Sequence, residues 1–444
     1  MPNTIGLGQP IRETAVGRRF VIPPEANRAG ELALARDLLA QAGLDAGDEL
    51  IGEVTSEGLR LRADALHKVY VEVTSACNLA CATCIRRTWA EPLGHMPLPR
   101  FQRLLAGLLG AEGQKSTDAF PSGVASPRRA ITLSLSGFGE PLVHPHFLEL
   151  VRLARERGTR VEIITNGTLL DATMAHELVA LGVGQVTVSL DGGDEIAYTA
   201  VRGHSRAPAL AAVHHLIEAR RRGRKPIEIG VAFVATQRNI ASLPGLLALA
   251  HDLALDFVAV SNVVPHTPEM AAEMLWSAAA WAASFPDASW RPRLELARMA
   301  LDDRTRPALA ALLDHGPTWP HPGAADGPRR NHCRFVHEGM LAVAWDGRVA
   351  PCLSLLHTHP EYVNDHWKTV RSHVVGHVDE RPLADIWRDA AYREFRRRVR
   401  EFDFPACFAC GGCPLTDTNE TDCYVNPFPA CGECLWAQGI VLCP

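Results

Sequence analysis

The sequence predicts an α/β protein built on a parallel sheet that helices cover and that curves into a partial barrel, with a cysteine-rich domain after it. Two observations predict this. Residues 69 to 262 alternate short runs rich in Val, Ile, Leu or Thr with amphipathic stretches, and the twelve cysteines fall into one group directly after the first run and another near the end. Strands are expected at 69–74, 131–136, 160–165, 184–190, 227–235 and 256–261. Helices are expected near 98–109, 145–157, 170–181, 207–222 and 241–253. Six such units joined by helical crossovers require a parallel sheet. Parallel sheets build their sites at the carboxyl ends of strands. Those ends read Thr74-Ser75, Ser136-Gly137, Thr165-Asn166-Gly167 and Ser189-Leu190-Asp191-Gly192. Each alone is a turn former; in succession beside a cysteine loop they indicate a site.

At 444 residues the chain exceeds one ordinary core. We divide it into a small module (1–66), the α/β core (67–285), a proline-rich bridge (286–330) with one helical segment near 293–313, and a cysteine-rich domain (331–444). Residues Glu112 to Arg129, rich in Gly, Ser and Pro, read as a surface loop. The runs Arg220 to Lys225 and Arg396-Arg397-Arg398 read as solvated helix faces, and Trp276 and Trp281 as packing residues of an Ala-rich amphipathic segment. Hydrophobic content of 47% and charged content of 21% are those of a globular protein. The net charge of −5 gives no long-range attraction for nucleic acid or a membrane surface, and no apolar run reaches spanning length. Met1 to Pro10 lacks a basic region followed by an apolar one, so a cytoplasmic location is expected. There, cysteines serve as metal ligands rather than disulfides.

The first group, Cys77, Cys81 and Cys84, forms a Cys-x3-Cys-x2-Cys run after Val69-Tyr70-Val71-Glu72-Val73. Three thiolates can hold an iron–sulfur cluster by three irons and leave the fourth open to a substrate or cofactor. Loop and strand order together resemble the radical S-adenosylmethionine (SAM) superfamily, a partial (β/α)6 TIM-like barrel, over roughly residues 69 to 262. The resemblance implies that these three cysteines hold a [4Fe–4S] cluster whose free iron chelates SAM. It also implies reductive cleavage of SAM to methionine and a 5′-deoxyadenosyl radical. The resemblance sets Gly137-Phe138-Gly139-Glu140-Pro141 against the methionine amino group of SAM, with Gly137, Gly139 and Glu140 as cofactor-binding residues. Phe138 replaces the first glycine of the family's Gly-Gly-Glu segment, and Gly139 is expected to allow close backbone approach to the ligand. The resemblance further implies ribose contacts from Ser189 and Asp191, and Arg202 opposite the methionine carboxylate or in a surface ion pair. Thr83 stands where family members usually carry an aromatic residue, which removes any basis for adenine stacking there.

The second group is Cys333, Cys352, Cys407, Cys410, Cys413, Cys423, Cys431, Cys434 and Cys443. The Gly347-to-Cys352 unit and the Cys407-x2-Cys410-x2-Cys413-Pro414 triplet resemble the SPASM extension, which carries one or two auxiliary [4Fe–4S] clusters. Two saturated clusters need eight thiolates and nine are offered, so spacing leaves the partition open. Paired Cys-x2-Cys units also ligate structural zinc, the competing reading. His332 and His337 flank Cys333 without being assigned as ligands.

The N-terminal order of Val21–Glu25, a helix over 31–42, the Gly43–Leu50 turn and Gly58-Leu59-Arg60-Leu61 resembles the swapped-hairpin fold of bacterial transition-state regulators and antitoxins. Acidic residues outnumber basic ones there, so a docking or homodimerisation role is expected in place of DNA binding; an iron–sulfur DNA-binding sensor ranks last. The segments Cys84–Met96 and Val260–Met270 resemble radical maturases associated with tungsten-containing aldehyde oxidoreductases. That implies a tungstopterin cofactor or its tungsten/molybdenum oxidoreductase host as substrate, and a low-potential donor such as ferredoxin or flavodoxin. His95, His266 and Glu269 are expected at the barrel mouth facing a polar substrate. The alternative is a peptide maturase with the peptide docked on the N-terminal module.

Overall fold

The computed structural model describes residues 50–55, 58–108, 131–223, 225–276, 281–285, 293–300, 302–314, 331–363, 365–405 and 414–442. The chain divides into two compact units, with a break between Asp64 and Ala65. In the first, β1 (Leu50–Thr55) and β2 (Gly58–Ala63) form an antiparallel hairpin with Leu50 opposite Ala63 and Thr55 opposite Gly58. The strand, helix and turn expected before it lie outside the described residues, as does the Glu112–Arg129 loop.

The second unit begins with β3 (Lys68–Val71), α1 (Leu98–Gly107), β4 (Thr132–Leu135), α2 (Phe147–Glu156), β5 (Arg160–Thr165), α3 (Ala172–Leu181) and β6 (Gln185–Ser189). It continues with α4 (Glu195–Arg202), α5 (Ala207–Arg222), β7 (Glu228–Ala235), α6 (Leu243–Asp252), β8 (Phe257–Asn262) and α7 (Pro268–Ala272). β3 to β8 pair in parallel in chain order, the α/β topology that the alternating pattern requires. The helices cover the sheet because their apolar residues recur on one face, as in α2 with Phe147, Leu150, Val151 and Ala154 buried. Local chemistry sets their ends. The Asp171 side chain accepts from the Met174 amide to start α3, and Gly182, at φ +80°, stops it in a left-handed conformation that favours glycine.

The sheet is wider than expected. β9 (Trp281–Phe285) and β10 (Arg293–Met299) add beyond β8, with β10 parallel to β8 and β9 antiparallel to β10. The helix expected near 293–313 is therefore confined to its second half, α8 (Arg306–Asp314), and Trp281 lies on a strand. The free backbone edge of β8 decides this: pairing satisfies its donors and acceptors. Leu296, Ala297, Arg298 and Met299 are all buried, as in a strand covered on both faces. After α9 (Arg334–His337), β11 (Met340–Val343) joins the other edge parallel to β3, and β12 (Arg348–Ala350) follows antiparallel. A hairpin of β13 (His359–Val363) and β14 (His366–Val370), the short β15 (Gly376–His377), α10 (Leu383–Trp387) and α11 (Ala390–Glu401) complete the unit.

The triple-arginine run is not uniformly solvated. α11 buries Tyr392, Phe395, Arg396 and Val399, which share a face at helical spacing. Arg396 is 1% exposed; its guanidinium lies 3.9 Å from the Trp387 ring centre and donates to the Trp387 carbonyl at 2.9 Å. Only Arg397 fits the solvated reading, pairing with Glu394 and Glu401. Trp276 packs beside Leu435, Ile440 and Val441.

Candidate active site

Cys77, Cys81 and Cys84 sit on the loop after β3, and the segments after β4, β5 and β6 close around it. Cys81 is buried, and Cys77 and Cys84 are half-buried. Burial pushes the Cys77 and Cys81 thiols up, as do the charges of neighbouring thiols, whereas Arg86 beside Cys77 and Arg202 beside Cys81 act in the opposite sense. The Cys77 sulfur accepts from the Leu79 amide at 3.4 Å and lies 3.9 Å from Asn166 Nδ2.

Gly139 packs directly against the cysteine loop. A side chain there would meet the carbonyl oxygens of Thr74 at 2.2 Å and Ala76 at 2.6 Å, so its bare backbone lets the cysteine loop seat. Gly137 performs the same service for Glu72. Glu140, 2% exposed, is a brace: its amide donates to the Ala76 carbonyl, and its carboxylate accepts from Leu142 N, Thr165 Oγ1 and Asn166 N. Burial raises its pKa, and these three bonds oppose the rise. Asp191 is also spoken for, with one oxygen accepting from Val234 N at 2.7 Å and the other from Arg202 Nε at 2.5 Å. Its carboxylate thus faces Arg202 and β7 where a ribose contact was expected. Ser189 is half-buried at the end of β6. Arg202 is not in a surface pair: its side chain is 12% exposed, and Nη1 lies 3.8 Å from the Cys81 sulfur.

A second thiol site emerges from residues far apart in sequence. Cys333, Cys352, Cys431 and Cys434 line one cavity of about 40 Å³, with Lys368, Glu361 and Ser354 among its other walls. Burial drives the Cys352 and Cys431 thiols well up, and Cys434 up; neighbouring thiols add to the rise at Cys352 and Cys431, and Glu361 to that at Cys434. Lys368 donates to Glu433 at 2.7 Å and, with Arg398, brings positive charge to Cys431. Among the described residues no three His, Cys, Asp or Glu side chains close on a single metal-ion position. Cys423 is exposed, and Cys407, Cys410, Cys413 and Cys443 lie outside the described residues. The His332 and His337 rings lie tilted against each other with centres 4.0 Å apart, and His337 Nδ1 is 2.9 Å from the Cys333 carbonyl.

The two segments expected at the barrel mouth follow the first and sixth core strands and are fastened to the C-terminal region. A side chain on Gly94 would strike the Trp345 ring at 2.3 Å. Glu91 pairs with Arg348 at 2.8 Å and with His357 Nδ1 at 2.7 Å, while His357 Nε2 lies 2.8 Å from Glu72. Ionised carboxylates only accept, so with Glu72 and Glu91 ionised both ring nitrogens donate, an arrangement that favours the imidazolium. Burial works against that charge, but bonding to Glu72 and Glu91 raises the His357 pKa. Trp89 stacks on this ring at 4.1 Å, and Phe138 meets Trp89 edge-on at 5.0 Å. From the other segment, Asn262 Nδ2 donates to the carbonyls of Arg298 and Ile440, both at 2.8 Å, and Tyr362 N donates to the Pro265 carbonyl. His266 is 2% exposed and bonded to the Val264 carbonyl; Glu269 and His95 are exposed.

This architecture can be set beside known proteins. Residues 71–231 match the radical SAM superfamily, and residues 333–414 match the SPASM iron–sulfur cluster-binding domain. The chain is 31% identical over 381 residues, 85% of its length and 96% of the relative's, to the tungsten-containing aldehyde ferredoxin oxidoreductase cofactor-modifying protein of Pyrococcus furiosus. The chain belongs to the radical SAM superfamily. It is a radical SAM enzyme with a SPASM domain, and these domains imply iron–sulfur clusters and SAM binding. It is also 27% identical to the Fe-coproporphyrin III synthase of Methanosarcina barkeri over 76% of this chain and 77% of that protein. The radical SAM fold recurs in Streptococcus suis SuiB bound to its precursor peptide SuiA, at TM-score 0.51, 15% identity and coverage of 82% and 73% of the two chains. No helix among the described residues is long and apolar enough to cross a membrane.

Proposed function

We propose that this radical SAM enzyme is a maturase that modifies a tungstopterin cofactor or the oxidoreductase that hosts it. The similarity to the Pyrococcus cofactor-modifying protein across nearly that protein's whole length carries this reading. When bound, a [4Fe–4S] cluster at Cys77, Cys81 and Cys84 supplies the electron that cleaves SAM to methionine and a 5′-deoxyadenosyl radical. The chain's residues hold that reaction in place. Glu140 braces the loop against β5, Gly137 and Gly139 let strand ends pack on it, and Asp191 orients Arg202 toward the Cys81 side. Ser189 and the backbone of Gly137–Glu140 remain the groups we assign to SAM.

Cys333, Cys352, Cys431 and Cys434 form one complete auxiliary ligand set, since four thiols around a cavity suit a polynuclear cluster better than a single zinc ion. A saturated cluster passes electrons and offers no open iron to substrate. Cys407, Cys410, Cys413, Cys423 and Cys443 would supply a second cluster. We assign residues 1–66 to docking or dimerisation, 67–285 to the core, 286–330 to a bridge and 331–444 to the SPASM-like domain, with ferredoxin or flavodoxin as donor in the cytoplasm. A second reading, a peptide substrate, is favoured by the fold shared with SuiB, which binds the precursor peptide SuiA.

The test is anaerobic reconstitution with iron and sulfide, then reductant and SAM. Release of 5′-deoxyadenosine is expected, and Cys84→Ala should abolish it; product persisting in that variant overturns the active-cluster assignment. Incubation with a tungsten oxidoreductase or with a precursor peptide, read by mass change, separates the two substrate readings.

A further inference from the structure

Three features beside Cys81 are left unexplained by substrate binding. Arg202 approaches the sulfur itself, with Nη1 at 3.8 Å, inside the range of an N–H···S bond. Its orientation is fixed from behind, because Nε donates to Asp191 at 2.5 Å and Asp191, fully buried, is pinned by the Val234 amide. Tyr198, one helical turn before Arg202 on α4, is completely buried, yet its hydroxyl has no hydrogen-bond partner among the described residues. That hydroxyl lies close enough to Arg202, Asp191 and Cys81 for their charges to act on it. A buried hydroxyl without a partner is costly unless something in the functional state accepts its proton. The carboxyl end of α4 is itself tied to the loop, since the Ala82 amide donates to the Val201 carbonyl at 3.2 Å.

We propose that Arg202, held by Asp191 and assisted by the Tyr198 hydroxyl, sets the reduction potential of the iron–sulfur cluster at Cys81, whether or not SAM is bound. This rests on the assignment of Cys77, Cys81 and Cys84 as cluster ligands. Reduction adds one negative charge to the cluster, delocalised onto its thiolate sulfurs. A fixed cation with an N–H donor at one sulfur, and a buried hydroxyl dipole near them, stabilise the reduced form and raise the potential. Asp191 acts as a positioning residue: its charge offsets part of the Arg202 field, and its main contribution is to hold the guanidinium in register with the sulfur.

The test is a dithionite titration of the reconstituted full chain without SAM, followed by the EPR signal of the reduced cluster, with the auxiliary clusters removed from view by comparison with a Cys77→Ala/Cys81→Ala/Cys84→Ala chain. Arg202→Gln should lower the ratio of reduced to oxidised cluster at fixed potential by tenfold or more, a shift of about 59 mV or more to the negative. Arg202→Lys, which keeps the charge, should recover most of that, and Tyr198→Phe should move the midpoint in the same direction by less. SAM binding is measured in parallel by equilibrium dialysis. An unchanged midpoint in Arg202→Gln, with weakened SAM binding, overturns the proposal and leaves Arg202 as a carboxylate ligand alone. If the wild-type signal is identical to that of the triple variant, the cluster assignment itself fails, which is a distinct result.

Discussion

The two thiol sites of this enzyme are made in opposite ways. Cys77, Cys81 and Cys84 come from a single loop, with Cys81 buried and the other two half-buried, and number one fewer than a cubane cluster can take. Cys333, Cys352, Cys431 and Cys434 come from three separate segments and line a cavity inside the C-terminal region. A contiguous loop can leave a coordination position facing outward because nothing else need surround it. A site assembled from distant segments is enclosed by the packing that assembles it. Under the ligand assignment proposed above, the difference would separate an iron that can meet a cofactor from a centre suited only to electron transfer.

That contrast can be broken most severely by exchanging losses between the sites. Cys84→Ala is expected to eliminate 5′-deoxyadenosine formation while leaving iron bound in the C-terminal region. Cys431→Ala should instead remove about four irons per chain and lower thermal stability, because a cluster that ties three segments together contributes folding free energy. If iron content and melting temperature of Cys431→Ala match wild type, the buried quartet is not a cluster site.

The clamp between the two regions gives a smaller, pH-dependent effect. His357 is bonded to Glu72 and Glu91, and its pKa is raised. A raised folded-state pKa means the contribution is fully present below the unfolded value, about 6.5 for histidine, and is lost as pH rises through the folded value. The melting-temperature gap between wild type and His357→Gln should therefore be widest near pH 6 and shrink on going alkaline. A gap that stays constant from pH 6 to pH 9 would show that the clamp does not depend on the imidazolium.

Smallest is the effect within one helix. Arg396→Ala removes a buried cation stacked on Trp387 and should cost about 2 kcal/mol in denaturant unfolding. Arg397→Ala next to it, on the exposed face, should leave the midpoint where it was.

Much of the core was legible from the chain alone. The six strands of the core lie within a few residues of their expected positions, because period-2 and period-3.6 patterns are properties of neighbours in sequence. The cysteine loop was legible for the same reason. The strand Arg293–Met299 was not, since its composition carries no strong strand preference and the free edge of β8 decided its state. The structural duties of Gly139, Glu140 and Asp191 were not legible. Their residue types marked the site, but whether a carboxylate faces a ligand or a neighbouring strand depends on groups brought from elsewhere, such as Asn166 and Val234. His357 carried no signal at all, for its partners Glu72 and Glu91 lie more than 250 positions away.

The sequence by itself determined the α/β class, the place of the three-cysteine loop at a strand end, and the presence of surplus thiols near the C-terminus. Those are short-range facts, set by spacing along the chain. Only the tertiary structure decided which four of the later cysteines share a cavity, that β10 and β11 widen the sheet at both edges, and that Arg202 points at a sulfur. Each of these depends on long-range packing, where burial and the pairing of unsatisfied polar groups choose among partners that local preference leaves equal.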